Sequence, residues 1–344
     1  MGRIREEDYA YSTARIRAVE IRLIDESKLN RLLNMTDIQD AVKLLLESGY
    51  GTDHTEMEKK AAENIEGLFD EELKKTYDLL LEILPSPEPV YLFMRRYDYL
   101  NAKLILKAEF LGVNISERLS RMGTIEPKKL LGYITDRNFG ELPDMLKEAV
   151  TESIEAFSQT RDPQIIDLIL DKASYQNMLQ DAVQYGDPFL TELVKKLIDI
   201  ANIRIILRSG LIGLPEDFVK KALIDGGSFS VRTLQDFVGK NWRDFISILK
   251  GAGHEKLSSD LTKALETDGI SEIEKILDDH IISWLKPSKF TTLGLDPSIA
   301  YLFLKETEIK NVRLIITGIV NKIPADIIKE RLRLRDRKST RLNS

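Results

Sequence analysis

Cysteine is absent from this chain of 344 residues. That removes disulfides, thiolate metal sites and a cysteine nucleophile, and it fits a reducing compartment. Histidine is nearly absent too. His54, His254 and His280 lie far apart, and no HExxH pair places two of them on one helix face. Proline and glycine are sparse, at 11 and 19 residues, and long Leu/Ile/Lys/Glu stretches run between them. This composition favours helices over sheets. No run reaches the ~18 apolar residues of a membrane span; the strongest candidate, Leu314 to Val320, is short enough to be a core segment. The opening "MGRIREEDYAYSTARIR" has no apolar core of a signal peptide. Excess positive charge is also missing. The net charge of −6 speaks against nucleic acid as a partner and against a polybasic dock on lipid.

What remains, 43% apolar and 31% charged, is an ordinary globular composition large enough for a sizeable core. Apolar residues recur at spacings of three and four, so the expected fold is all-α. The "GAG" at Gly251 follows a helical pattern and reads as a helix end rather than a phosphate loop. No G-x-x-x-x-G-K-[ST] and no G-x-S-x-G occurs. Tyr91, Phe93, Tyr97, Tyr99, Tyr301 and Phe303 read as core packing, and Trp242 and Trp284 as packing anchors.

The informative signal is an internal repeat. Ser86-Pro87, Asp187-Pro188 and Asp296-Pro297 each open a helical pattern with a capping residue and a proline. Eleven positions after each proline stands an acid: Asp98, Asp199, Glu308. Three further on stands an asparagine: Asn101, Asn202, Asn311. Two more give a base: Lys103, Arg204, Arg313. Apolar runs follow, then Gly112, Gly210 and Gly318 at expected helix ends, then a second proline that restarts a helix at Pro127, Pro215 and Pro324. A degenerate fourth copy, "YAYSTARI", begins at Tyr9, with Thr13 in the asparagine slot and Arg15 in the basic slot.

Acids and bases inside apolar helices are costly unless paired. Acid and asparagine, three apart, share a helix face; acid and base, five apart, do not. The expectation is a structural inter-helix polar motif in which each base pairs with an acid or carbonyl on a neighbouring element and each asparagine bridges backbone. Catalysis is not expected here, because an enzyme has no reason to carry its chemistry three times. The expected organisation is three helical units, 1–112, 113–213 and 214–335, followed by a disordered or non-native tail at 336–344.

The motifs "YDYLNAKLILKAEFLG", "IDIANIRIILRSG" and "TEIKNVRLIITG", with "DYAYSTARIRAVE" at the start, resemble the C subunit of the A-type/V-type ATP synthases, the counterpart of the vacuolar ATPase d subunit. The resemblance covers residues 4 to 335. It departs at Thr13, where the family's first motif reads Asn. It implies an all-α funnel of three similar helical domains with pseudo-threefold symmetry, peripheral on the cytoplasmic face of a membrane and not inserted into it. It implies no active site and no cofactor. The implied partners are the proteolipid ring of the membrane sector and the central-stalk subunits D and F, between which torque passes as ion translocation is coupled to ATP synthesis or hydrolysis. The residues alone leave two alternatives: a generic all-helical scaffold binding other proteins, and an enzyme of all-α type.

Overall fold

The structure is a computed structural model and describes residues 5–51, 64–252, 254–266 and 270–333. Among them there are sixteen α-helices and no strand. In chain order these are α1 (Ala10–Glu20), α2 (Glu26–Leu33), α3 (Ile38–Glu47), α4 (Ile65–Ile83), α5 (Glu88–Leu111), α6 (Pro127–Thr135), α7 (Asp144–Thr160) and α8 (Gln164–Tyr185). They continue with α9 (Pro188–Ile212), α10 (Glu216–Ala222), α11 (Val231–Gln235), α12 (Trp242–Gly251), α13 (Glu255–Glu266), α14 (Ile270–Leu285), α15 (Asp296–Val320) and α16 (Ala325–Arg331). The fold is all-α. His54 and the 336–344 tail lie outside the described residues.

The helix starts follow from local chemistry. Asp187 caps α9: its Oδ1 accepts from the Leu190 amide at 2.9 Å, with Pro188 at the first helical position. In the first and third copies the helix begins one residue away from the expected cap, with Pro87 and Leu295 at the N-cap. The second prolines open α6, α10 and α16, as the spacing indicates.

The expected glycine ends hold only at Gly112, which takes a left-handed φ of 65° after α5. Gly210 and Gly318 are inside α9 and α15. The aliphatic residues beyond them continue the helical stripe, so α9 runs on to a left-handed Gly213 and α15 to Asn321. At Gly318 the missing side chain has a use. A Cβ there would collide with the Ile328 side chain, so α16 packs directly on the backbone of α15. Gly251 closes α12 as its last helical residue.

The chain divides into two compact units. One joins the two ends of the sequence, residues up to Ser86 and from Lys263 onward; the other is Pro87–Thr262. In the terminal unit α15 packs against α1, α4 and α14. Its core includes Leu32, Leu45, Tyr50, Phe69, Val312 and Ile315. In the other unit α8 is the hub, flanked by α5, α7 and α9. Its core includes Leu106, Leu130, Ile134, Val150, Ile166 and Leu170. Each such side chain contributes about 1.5–3 kcal/mol on burial. Phe93, Tyr99, Tyr301 and Phe303 are buried as expected, while Tyr91 is on the surface.

Candidate functional site

The repeated helices α5, α9 and α15 bury their acid and their asparagine on one face. All three asparagines are fully buried, at 0% exposure. Each makes the same two-point bond to one residue of the chain farther on. The Asn101 Nδ2 donates to the Ser120 carbonyl at 2.8 Å while Oδ1 accepts from the Ser120 amide at 2.8 Å. Asn202 does the same with Ile224, at 2.8 Å in both directions. Asn311 does it with Arg333, at 3.2 and 2.9 Å. A primary amide carries a donor and an acceptor side by side, so it satisfies a whole backbone unit as a neighbouring strand would. In each copy the chain that leaves the helix's C-terminal end is brought back and clipped to the helix's middle.

The acids treat the same returning segment differently. Asp98 Oδ2 accepts from the Thr124 amide at 3.0 Å and the Thr124 hydroxyl at 2.6 Å, and Oδ1 accepts from the Ile125 amide at 3.1 Å. Asp199 Oδ1 accepts from the amides of Ser228 and Phe229 at 2.8 and 3.4 Å. Gly123 and Gly227 precede these donors. A Cβ on either would collide with the aspartate carboxylate, so glycine is required for the backbone to come this close. Burial pushes both carboxyls above their ordinary value of 3.8, against the lowering effect of these hydrogen bonds.

Glu308 occupies the acid slot of the third copy and turns elsewhere. It accepts from the Ile24 amide at 2.5 Å, the Tyr50 hydroxyl at 2.9 Å and the Lys305 ammonium at 2.8 Å. Lys305 is itself buried and pairs with Glu72 at 2.6 Å. Its ammonium also stands over the Tyr50 ring, 4.6 Å from the centroid. Burial disfavours the lysine's charge, yet Glu308 and Glu72 more than offset this and hold its pKa above the usual range. Burial likewise pushes the Tyr301 hydroxyl up, to about 12. Glu72 keeps one carboxylate oxygen buried without a hydrogen-bond partner, 3.6 Å from the Lys75 ammonium.

Of the bases, Lys103 reaches across to α8, 2.5 Å from Asp171 and 3.8 Å from Asp167. Arg313 pairs with Glu66 at 3.0 Å and lies over the Phe69 ring, 5.1 Å from its centroid. Arg204 is partly buried on α9. In the degenerate copy Thr13 is buried with its hydroxyl unpartnered, and Arg15 is exposed. A threonine has no amide, so the two-point clip is not available at that position. Lys305, Glu72 and Tyr50 carry no repeat signature and escape a reading based on the repeat. One signal was present: a lysine three residues before an acid inside the apolar run of α15 marks a pair on one face.

The arrangement consumes acids and amides on the chain's own backbone and on buried counter-charges. Among the described residues no group of three or more His, Cys, Asp and Glu is placed to hold a metal ion, and no helix is long and apolar enough to cross a membrane.

The sequence pattern of the ATP synthase (C/AC39) subunit matches residues 12–331. The C subunit of the V-type sodium ATPase of Enterococcus hirae is 28% identical over 318 residues, covering 92% of this chain and 96% of that protein. The C subunit of the A-type ATP synthase of Thermococcus kodakarensis is 27% identical, covering 94% of this chain and 89% of its own length. That of Methanocaldococcus jannaschii is also 27% identical, covering 94% and 86%. With the match running from the degenerate first copy through α16, the chain belongs to the ATP synthase (C/AC39) subunit family.

Proposed function

We propose that this protein is a non-catalytic rotor adaptor: a socket that joins the central-stalk subunits D and F to the membrane proteolipid ring and passes torque between them. In this reading it sits on the cytoplasmic face of the membrane, attached through protein rather than by insertion. It needs no cofactor. The reading takes three related helical units, residues 1–112, 113–213 and 214–335, each holding one of the clip asparagines, Asn101, Asn202 and Asn311. The buried acids and amides, with the partly exposed bases beside them, act as an inter-helix polar motif that sets the register of the packed helices.

The observation that carries this reading is the use made of the conspicuous polar residues. Asn101, Asn202 and Asn311 are fully buried and bonded in both directions to the chain's own backbone. Asp98, Asp199 and Glu308 likewise accept from internal donors. A group so committed is a structural lock, and stiffness is what a torque-carrying part requires. The names of the relatives, C subunits of V-type and A-type enzymes, supply the assembly.

The test is a binding experiment with the purified chain. Recombinant D–F stalk and the detergent-solubilised proteolipid ring are each offered to it. Specific, saturable binding to both is expected. Binding to neither would remove the adaptor reading.

A further inference from the structure

The acid of each repeat accepts from an amide that stands just ahead of a helix. For Asp98 the donors Thr124 and Ile125 precede α6, 26 and 27 residues further along the chain. For Asp199 the donors Ser228 and Phe229 precede α11, 29 and 30 residues further along. For Glu308 the donor is Ile24, ahead of α2 and 284 residues away. By contacts rather than by sequence order, the third repeat is completed by the start of the chain.

The pairing of long helices says the same. α5 and α8 run antiparallel, bridged by Lys103 to Asp171 and by Arg95 to Asp181, 68 and 86 residues apart. The matching positions of α15, two after its asparagine and three before its acid, are Arg313 and Lys305. They bridge to Glu66 and Glu72 of α4, again antiparallel, and the first of these pairs spans 247 residues. So α15 stands to α2 and α4 as α5 stands to α6 and α8, but no short connection joins it to them.

The terminal unit thus brings together two distant stretches, the described residues of 5–83 and those of 270–333. Closing a longer loop costs more chain entropy, so such a joint opens ahead of one between neighbouring stretches unless it is fastened. Fasteners cross it. Arg17 donates to the Ser288 and Thr291 carbonyls at 2.9 and 3.2 Å, and the Tyr77 hydroxyl donates to Glu306 at 3.1 Å. The strongest is an ion pair that the other unit leaves partly open. The Arg95 and Asp181 side chains are 36% and 20% exposed, those of Lys305 and Glu72 only 7% and 10%. Within 270–333 the helices hold to one another, because Lys310 and Arg333 both reach Asp278, at 3.5 and 3.1 Å.

We infer that this joint is a clasp: residues 270–333 part from 5–83 as one body and rejoin it while the Pro87–Thr262 unit stays folded. Lys305 is its pin. A clasp between the two ends of a chain lets a repeat protein open without unfolding its other repeats. The inference stands on the chain alone and does not need the adaptor reading.

The experiment is hydrogen–deuterium exchange of the full-length chain as wild type, as Lys305→Met and as Tyr50→Phe, with circular dichroism confirming the fold. In wild type the slowest amides of α2, α3, α4 and α15 should exchange within about threefold of one another. They should exchange about tenfold or more faster than the slowest amides of α5 and α8. Lys305→Met should quicken both stretches together by about 100-fold or more and leave α5 and α8 within about twofold. Tyr50→Phe removes only the hydroxyl that Glu308 accepts from and should do the same by about fivefold. It decides the matter if Lys305→Met does not fold. Exchange that quickens in α15 alone, in α2–α4 alone, or equally in α5 and α8 would overturn the clasp. So would a wild type whose α5 and α8 exchange at the rate of the joint.

Discussion

The same acid slot is solved in two ways. In the Pro87–Thr262 unit Asp98 and Asp199 are held by backbone amides that glycine allows to approach. In the terminal unit Glu308 is held by a lysine, a tyrosine and one amide from the beginning of the chain. The asparagine clip beside it is common to all three. The contrast separates the part of the repeat that is fixed from the part that is free. The amide must match one backbone unit in both directions, and only asparagine fits that geometry at that reach. The acid needs only donors, and any buried donors will serve. The longer glutamate in the third copy reaches Ile24 and Tyr50, and so ties the two ends of the sequence to each other.

The largest loss is expected on the lysine side of this contrast, from Lys305→Met. It leaves Glu308 buried without its counter-charge and Glu72 with only Lys75, at 3.6 Å. Urea unfolding should show a loss of about 3–5 kcal/mol. Adding Glu72→Gln and Glu308→Gln should return part of it; no recovery would mean that the lysine acts through packing alone. Next in size is Asn202→Ala, which orphans both the amide and the carbonyl of Ile224. Its expected cost is about 2–4 kcal/mol by the same measurement, with Asn101→Ala close behind. Gly227→Ala and Gly123→Ala should each cost about 1–3 kcal/mol, because the added Cβ displaces an aspartate from its donors. A tolerated alanine at both would show that the amide cradle is not needed.

The smallest effect is one of pH. Burial raises the carboxyls of Asp98 and Asp199, so the folded state favours their protonated forms. Their contribution to stability is complete below the unfolded value of about 3.9 and is lost as pH rises through the raised folded value. Against a variant carrying Asp98→Asn and Asp199→Asn, the wild type should therefore lose ground across that window. The loss is about 1.4 kcal/mol for each pH unit that separates the folded midpoint from the unfolded one. Carboxyl chemical shifts read by NMR would locate the midpoints directly. Midpoints at or below 3.8 would contradict the desolvation argument.

Much of the fold was legible because helices announce themselves locally. Proline starts, apolar spacing and the repeat place α5, α9 and α15 and the short helices after them. The asparagines were legible as buried because their neighbours are apolar. Their partners were not, since Ser120, Ile224 and Arg333 are bonded through backbone groups that every residue possesses. The lysine cluster was hidden for a related reason. Glu72 and Tyr50 meet Lys305 only through tertiary packing of distant segments, which no spacing records. The helix ends lie at Gly213 and Asn321 rather than at the expected Gly210 and Gly318 because a glycine inside a helix costs only about 1 kcal/mol, which a continuing apolar stripe outweighs.

The lock depends on the asparagines acting as clips for the returning chain. Hydrogen–deuterium exchange of the segment around Ile224, in Asn202→Ala set beside wild type, decides whether they do. Protection of residues 223–229 should fall at least tenfold, from the loss of about 1.4 kcal/mol or more of local stability, while the α9 amides stay protected. Unchanged protection across 223–229 would contradict it.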